Sequence, residues 1–289
     1  MTTVAERLWE YAQLMRLHRP ICTLLLLWPT LWALWFAAGG LPDPKLLSVF
    51  VVGVLFMRSA GCVINDYIDR DFDPHVARTR TRPIAAGRVS PNEALTLFVA
   101  LCVAAFGLVL SLNALAVQLS LVAVFLAVTY PLVKRWTHLP QFYLGIAFGW
   151  GIPMAFAAQL DTVPALAWML LAANISWVMA YDTAYAMADR ADDLKIGVKS
   201  SAILFGDYDR LLIALFHAGA LALLVLAGFI AGRGMLYYGG LVTAGALALH
   251  QQIRIRTREP QACFRAFLDN NRFGAVIFVG LVLDYYYYG

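Results

Sequence analysis

Runs of about 20 apolar residues, long enough to cross a ~30 Å hydrocarbon core as a helix, recur along this chain from Ile21 to its C-terminal end. The composition agrees. The 289 residues are 61% hydrophobic and 14% charged, where a soluble domain carries roughly 25% charged residues. The expected fold is therefore all-α, a polytopic membrane protein of about nine transmembrane helices. The expected spans are 21–38, 46–64, 94–113, 115–133, 140–159, 163–181, 210–231, 235–251 and 273–288.

Nine spans put the two termini on opposite sides. With the N-terminus in the cytoplasm, only Lys45 and Arg233 of the 22 Lys and Arg fall outside, which leaves 20 on the cytoplasmic side or in the adjoining helix ends. Cytoplasmic loops concentrate positive charge, so the count fixes the orientation. Residues 1–20 carry Arg7, Arg16 and Arg19 among Val4, Leu8, Tyr11 and Met15 at helical spacing. They read as an amphipathic surface segment rather than a cleaved signal. The four cysteines are scattered without a CxxC pair, so they read as small core hydrophobes.

The charge that remains is unevenly placed. Spans two and six each run directly into an acidic stretch: Asn65-Asp66-Tyr67-Ile68-Asp69-Arg70-Asp71-Phe72-Asp73, and Asp182 through Asp189, Asp192 and Asp193. Carboxylates at a membrane boundary are expensive and normally face protein, water or an ion. If the second span continues as a helix, Asn65, Asp69 and Asp73 stand at i, i+4 and i+8 on one face, with Asp66 on its flank. Asp182, Asp189 and Asp193 are spaced i, i+7 and i+11, with Tyr185 between them and Asp192 beside them. Like charges at such spacing repel. Hard oxygen ligands on two facing helices suit Mg²⁺, particularly when it is shared with a phosphorylated substrate. Each cluster opens a cytoplasmic segment of about 28 residues, 65–93 and 182–209, expected as motif loops that cap the bundle. A weak twofold rhythm, with repeats of about four helices, would set the two clusters opposite one another. EF-hand, zinc and Gly-rich phosphate-loop signatures are absent, which removes support for ATP hydrolysis.

The stretch NDYIDRDFD resembles the first Asp-rich signature of the UbiA-type intramembrane aromatic prenyltransferases, and YDTAYAMADRADDLKIGVKSSAILFG resembles their second. Arg16-Leu17-His18-Arg19-Pro20, Arg78 to Pro83, and Tyr130 to Arg135 continuing to Pro140-Gln141 also look like segments of the 4-hydroxybenzoate branch. The resemblance runs from about residue 10 to the end. It implies one membrane-embedded domain over 1–289, a helix bundle around a central cavity under a cytoplasmic cap, in the bacterial inner (plasma) membrane. By resemblance, Asn65, Asp69, Asp73, Asp189 and Asp193 form a Mg²⁺–diphosphate site, with Asp66, Asp182 and Asp192 in support. Arg135 resembles a basic residue of catalysis or substrate placement, with Lys134 beside it. Arg58, seven residues before Asn65, is placed to reach a diphosphate or an aromatic carboxylate. Lys199 and Arg78 are diphosphate arms; for Arg80, Arg82 and Arg88 anionic lipid is an equal expectation. Tyr143, Phe142, Trp177, Tyr181 and Tyr185 are the aromatics that could stabilise an allylic cation.

The implied substrates are a polyprenyl diphosphate and 4-hydroxybenzoate, joined at the ring carbon ortho to the hydroxyl, in ubiquinone synthesis. The lipid bilayer is the expected surrounding, with no nucleic acid and no protein partner implied. Other acceptors (a naphthoate, haem or homogentisate) are alternatives within the superfamily. An ion-coupled transporter is the non-enzyme alternative; its sites belong near the bilayer midplane, whereas these acids stand at the cytoplasmic exits.

Overall fold

A computed structural model describes residues 3–75 and 79–288. Arg78 lies outside the described residues. In chain order the helices are α1 (Val4–Leu14), α2 (Ile21–Ala38), α3 (Pro44–Ile68), α4 (Pro91–Val109), α5 (Ala114–Val133), α6 (Pro140–Gly149), α7 (Gly151–Leu160), α8 (Ala165–Ile196), α9 (Ser201–Phe205), α10 (Asp209–Ile230), α11 (Met235–Arg254) and α12 (Pro260–Tyr288). Among the described residues there is no strand.

The helix starts are written in local chemistry. Asp43 accepts from the amides of Lys45 and Leu46 ahead of Pro44 at the first turn of α3, and Ser90 with Glu93 forms a capping box around Pro91 in α4. Gly39 and Gly197 close α2 and α8 with φ of 64° and 71°, a conformation costly to any residue with a Cβ.

Eight helical segments are long and apolar enough to cross a membrane. They match eight of the nine expected spans. The other, 235–251, is the 20-residue helix α11, whose last five residues are His250-Gln251-Gln252-Ile253-Arg254, and it is not among the eight. Span five differs from expectation in being two helices that meet at Trp150. Pro153 has no N–H to give the carbonyl of Gly149, so the ladder breaks there. Helix α8 has 32 residues, about 48 Å at 1.5 Å per residue. That exceeds the hydrocarbon core, and its last turns carry the second acidic cluster beyond it.

Helix α8 is the hub, packed on α6, α10 and α12, with α2 on α7 and α12, α3 on α4, and α11 on α12. The core beside it is aromatic: Trp177 stacks on Phe273 and stands edge-on to Tyr181, and Trp32 lies against Trp177. Helices α11 and α12 touch backbone to backbone, where a Cβ on Gly280 would come within 2.9 Å of the Leu236 carbonyl. Val99, Val103, Leu121, Phe125, Phe229 and Val242 stay exposed on the outer faces. In a bilayer those faces are solvated by lipid.

Candidate functional site

The ends of α3 and α5 meet in two rungs. Asn65 and Asp69 are one turn apart, as are Tyr130 and Lys134. The Tyr130 hydroxyl faces Asn65 Oδ1 at 3.4 Å, and Lys134 Nζ pairs with Asp69 Oδ2. Asp69 Oδ1 is enclosed with no partner among the described residues. Arg135, just past the end of α5, donates to the carbonyl of Ile68 at 3.0 Å and lies over the Phe72 ring.

Helix α3 stops at Ile68, and this overturns the continuous face expected for Asn65, Asp69 and Asp73. Asp69 has left helical geometry (φ −89°, ψ 2°), and Asp73 opens a short 3₁₀ turn. Pro74 has no N–H to give the carbonyl of Arg70, so an α-helix could not run unbroken through Asp73. The cluster is gathered instead by arginines from afar. Arg82 Nη1 reaches Asp66 at 3.0 Å and Asp73 at 2.8 Å, and Arg16 pairs with Asp66. Burial holds the Asp73 carboxyl above its ordinary range, with Arg82 pulling against that. Asp66, 1% exposed, thus holds the two arginines from behind the cavity wall rather than forming part of it. Arg82 is a pillar of the site rather than a lipid contact. Arg88 meets Glu10 of α1 at 2.8 Å, and Arg7 of α1 pairs with Glu93, so the N-terminal helix braces the cap.

The second cluster keeps its expected geometry, because α8 runs to Ile196. Most of the segment expected as a loop from 182 is therefore helix. Asp192 takes Lys195 at 3.1 Å, and Tyr185 packs edge-on to Phe267. The turn after α8 is tied across to the first cluster. The Val198 amide donates to the Asp193 carbonyl at 3.0 Å, the Lys199 amide to the Lys134 carbonyl at 3.3 Å, and Lys199 Nζ to the Trp136 carbonyl at 3.1 Å.

Both clusters open on one cavity of about 470 Å³. Its wall includes Asn65, Asp69, Asp73, Asp182, Tyr185, Asp189, Asp192, Asp193, Arg58, Lys134, Arg135 and Lys199, which is most of the residues singled out from sequence. Arg16, Tyr130, Gln141 and Ser200 join them unanticipated as site residues, and so does Arg82, for which the sequence makes lipid an equal expectation. Tyr181 is on the wall; Tyr143, Phe142 and Trp177 are not. Deeper in, the wall turns apolar through Val49, Phe50, Phe106, Val109, Leu112 and Met154. Arg58 Nε and the Tyr181 hydroxyl are enclosed in the wall without hydrogen-bond partners among the described residues.

Among the described residues no group of three His, Cys, Asp or Glu stands poised around a metal; Lys134, Arg82 and Arg16 take up the first cluster's charge. The donor set still suits a hard divalent cation, with carboxylates from the loop after α3 and from α8, and an enclosed oxygen on Asp69. Chemically, the cavity offers an anion- and cation-binding head joined to a greasy barrel, the shape of a lipid with a charged end.

A model described as the UbiA prenyltransferase family matches residues 26–278. The 4-hydroxybenzoate octaprenyltransferase of Alkalilimnicola ehrlichii is 61% identical, covering 96% of this chain and 95% of the relative. That of Nitrosococcus oceani is 60% identical over 97% and 98%. Among solved structures, a UbiA homolog from Aeropyrum pernix K1 superposes with a TM-score of 0.81 at 26% identity, over 92% of this chain and 98% of that one. A UbiA homolog from Archaeoglobus fulgidus bound to GPP and Mg²⁺ shares the fold at 16% identity, with a TM-score of 0.70 over 94% and 99%. The family match spans both acidic clusters and the helices that wall their cavity, and the chain belongs to the UbiA prenyltransferase family.

Proposed function

We propose that this protein transfers a polyprenyl group from its diphosphate to 4-hydroxybenzoate, at the ring carbon ortho to the hydroxyl, for ubiquinone synthesis. The carrying observation is the single cavity with both acidic clusters at its head and an apolar barrel behind them. Relatives at 55–61% identity named 4-hydroxybenzoate octaprenyltransferase favour an octaprenyl donor.

In this reading Asn65, Asp69, Asp73, Asp189 and Asp193 hold Mg²⁺. When bound, the ion supplies positive charge to the leaving diphosphate. Lys134, Arg135 and Lys199 add theirs, with Arg78 as a further arm, and Asp182 and Asp192 are supporting acids on the same cavity wall. Because charge accumulates on the leaving oxygens, fixed cations lower the barrier to breaking the allylic C–O bond, whose electron pair departs with the diphosphate. The Tyr181 and Tyr185 rings face the cavity and can stabilise the allylic cation. Arg58, with its enclosed and unpartnered Nε, is assigned to the carboxylate of the aromatic acid. That contact turns the opposite, hydroxyl-bearing end of the ring toward the cation. The ring carbon forms the new C–C bond, and loss of its proton restores aromaticity. The apolar walls keep water from competing.

The same reading puts the N-terminus in the cytoplasm and, with α11 as a ninth span, the C-terminus in the periplasm. The support is the asymmetry of Lys and Arg. Purified protein given a panel of prenyl diphosphates and aromatic acceptors, with products read by mass spectrometry, tests the function. The expected product is 3-octaprenyl-4-hydroxybenzoate. Preference for a naphthoate, homogentisate or haem would overturn it.

A further inference from the structure

Ser200 occupies the N-cap of α9 with extended backbone, φ −147° and ψ 160°. A serine there ordinarily turns its hydroxyl onto an amide two or three residues ahead. Ser200 makes no such bond. The neighbouring amide of Ser201 is satisfied from another helix instead, by Gln141 Oε1 of α6 at 3.1 Å. Ser200 is 3% exposed, lines the cavity, and its Oγ has no hydrogen-bond partner among the described residues. A buried hydroxyl without a partner is costly, so its retention calls for a ligand.

The location says which ligand. The turn carrying Ser200 is tied to the second acidic cluster through the Val198 amide and the Asp193 carbonyl. It is tied to the first through the Lys199 amide and Lys134, the lysine that holds Asp69. Ser200 therefore stands at the charged head of the cavity, where the two clusters meet, and not along its apolar barrel.

We propose that Ser200 is a substrate-binding residue whose hydroxyl donates to a phosphate oxygen of the prenyl diphosphate. The inference rests on the proposed function and adds a neutral donor to a site otherwise built from charges. A hydrogen bond to an anion is among the stronger kinds. A free-state penalty and a bound-state gain together make a signature that a structural serine lacks.

The experiment is Ser200→Ala in the full-length protein, with steady-state kinetics varying each substrate in turn and thermal unfolding without substrate. The expected result is a tenfold or greater loss in kcat/KM for the prenyl diphosphate. KM for the aromatic acid should stay within twofold, and the substrate-free Tm should be unchanged or raised, because an unsatisfied polar group is gone. Wild-type kinetics in the variant would overturn the inference. So would a substrate-free Tm that falls along with activity, or a loss confined to the KM of the aromatic acid. If the unmutated protein does not turn over a prenyl diphosphate at all, the proposed function itself falls, and this inference with it.

Discussion

The acids at the end of α3 leave their helix, whereas those of α8 stay on theirs. Asp69 and Asp73 sit past the last turn and are held by Lys134 and Arg82. Asp182, Asp189 and Asp193 ride a helix that outruns the bilayer and closes only at Gly197. The first cluster runs beyond its helix and is gathered by Lys134 and Arg82, whereas the second rides a continuous helical backbone. A helix fixes the spacing of the backbone positions its acids stand on, while a loop cluster depends on counter-charges for its spacing as well. The half built on a loop should then depend more on the salt bridges of Arg82 than the helical half does on the exposed Lys195.

The largest effect should come from the acids, whichever way each is held. Asp69→Asn and Asp189→Asn should each lower turnover at least ~100-fold by loss of leaving-group stabilisation, with membrane insertion intact. Asp161→Asn, in a turn at the end of α7 away from the cavity, should be nearly silent; asparagine also accepts its left-handed φ of 53°. Equal losses at all three positions would remove the distinction between site and surface.

Arg135 comes next. Its guanidinium holds the Ile68 carbonyl, the last of α3, where the chain turns away to form the first cluster. Lysine keeps the charge but not the planar fork, so Arg135→Lys should lower kcat/KM by about tenfold and Arg135→Ala by more, with unchanged expression. Wild-type kinetics for Arg135→Lys would reduce the residue to a topology signal.

The comparison is sharpest between Arg82 and Lys195. Arg82→Gln removes the bridge between Asp66 and Asp73, and the Mg²⁺ concentration for half-maximal activity should rise several-fold, up to about tenfold. Lys195 makes an exposed i, i+3 pair with Asp192, and such pairs are worth ~0–1 kcal/mol. Lys195→Gln should therefore leave Mg²⁺ dependence within about twofold. Similar shifts for the two variants would contradict the idea that the clusters are held differently.

The same contrast explains what was legible in the sequence. Apolar length announced the spans, and the i, i+7, i+11 spacing announced the second cluster, because a helix converts spacing into direction. The first cluster broke that conversion at Ile68. A local signal was present in Asp73-Pro74, where a helix rarely continues. Arg16 and Arg82 could not be read in the same way. They reach Asp66 from 50 residues before it and 16 after it, and no periodicity encodes a contact made through a loop. Span five broke for a reason visible at Pro153, although the position of the break at Trp150 depended on packing. Nothing in the local sequence marks Ser200 either, because the Gln141 contact that satisfies the Ser201 amide comes from another helix.

That the two clusters act as one divalent-metal site is tested most directly by chelation and add-back. Protein stripped exhaustively with EDTA should form no prenylated 4-hydroxybenzoate from octaprenyl diphosphate. Activity should return with Mg²⁺, and less well with Ca²⁺, whose longer bonds misplace the phosphate. Full turnover by the stripped protein would contradict the account.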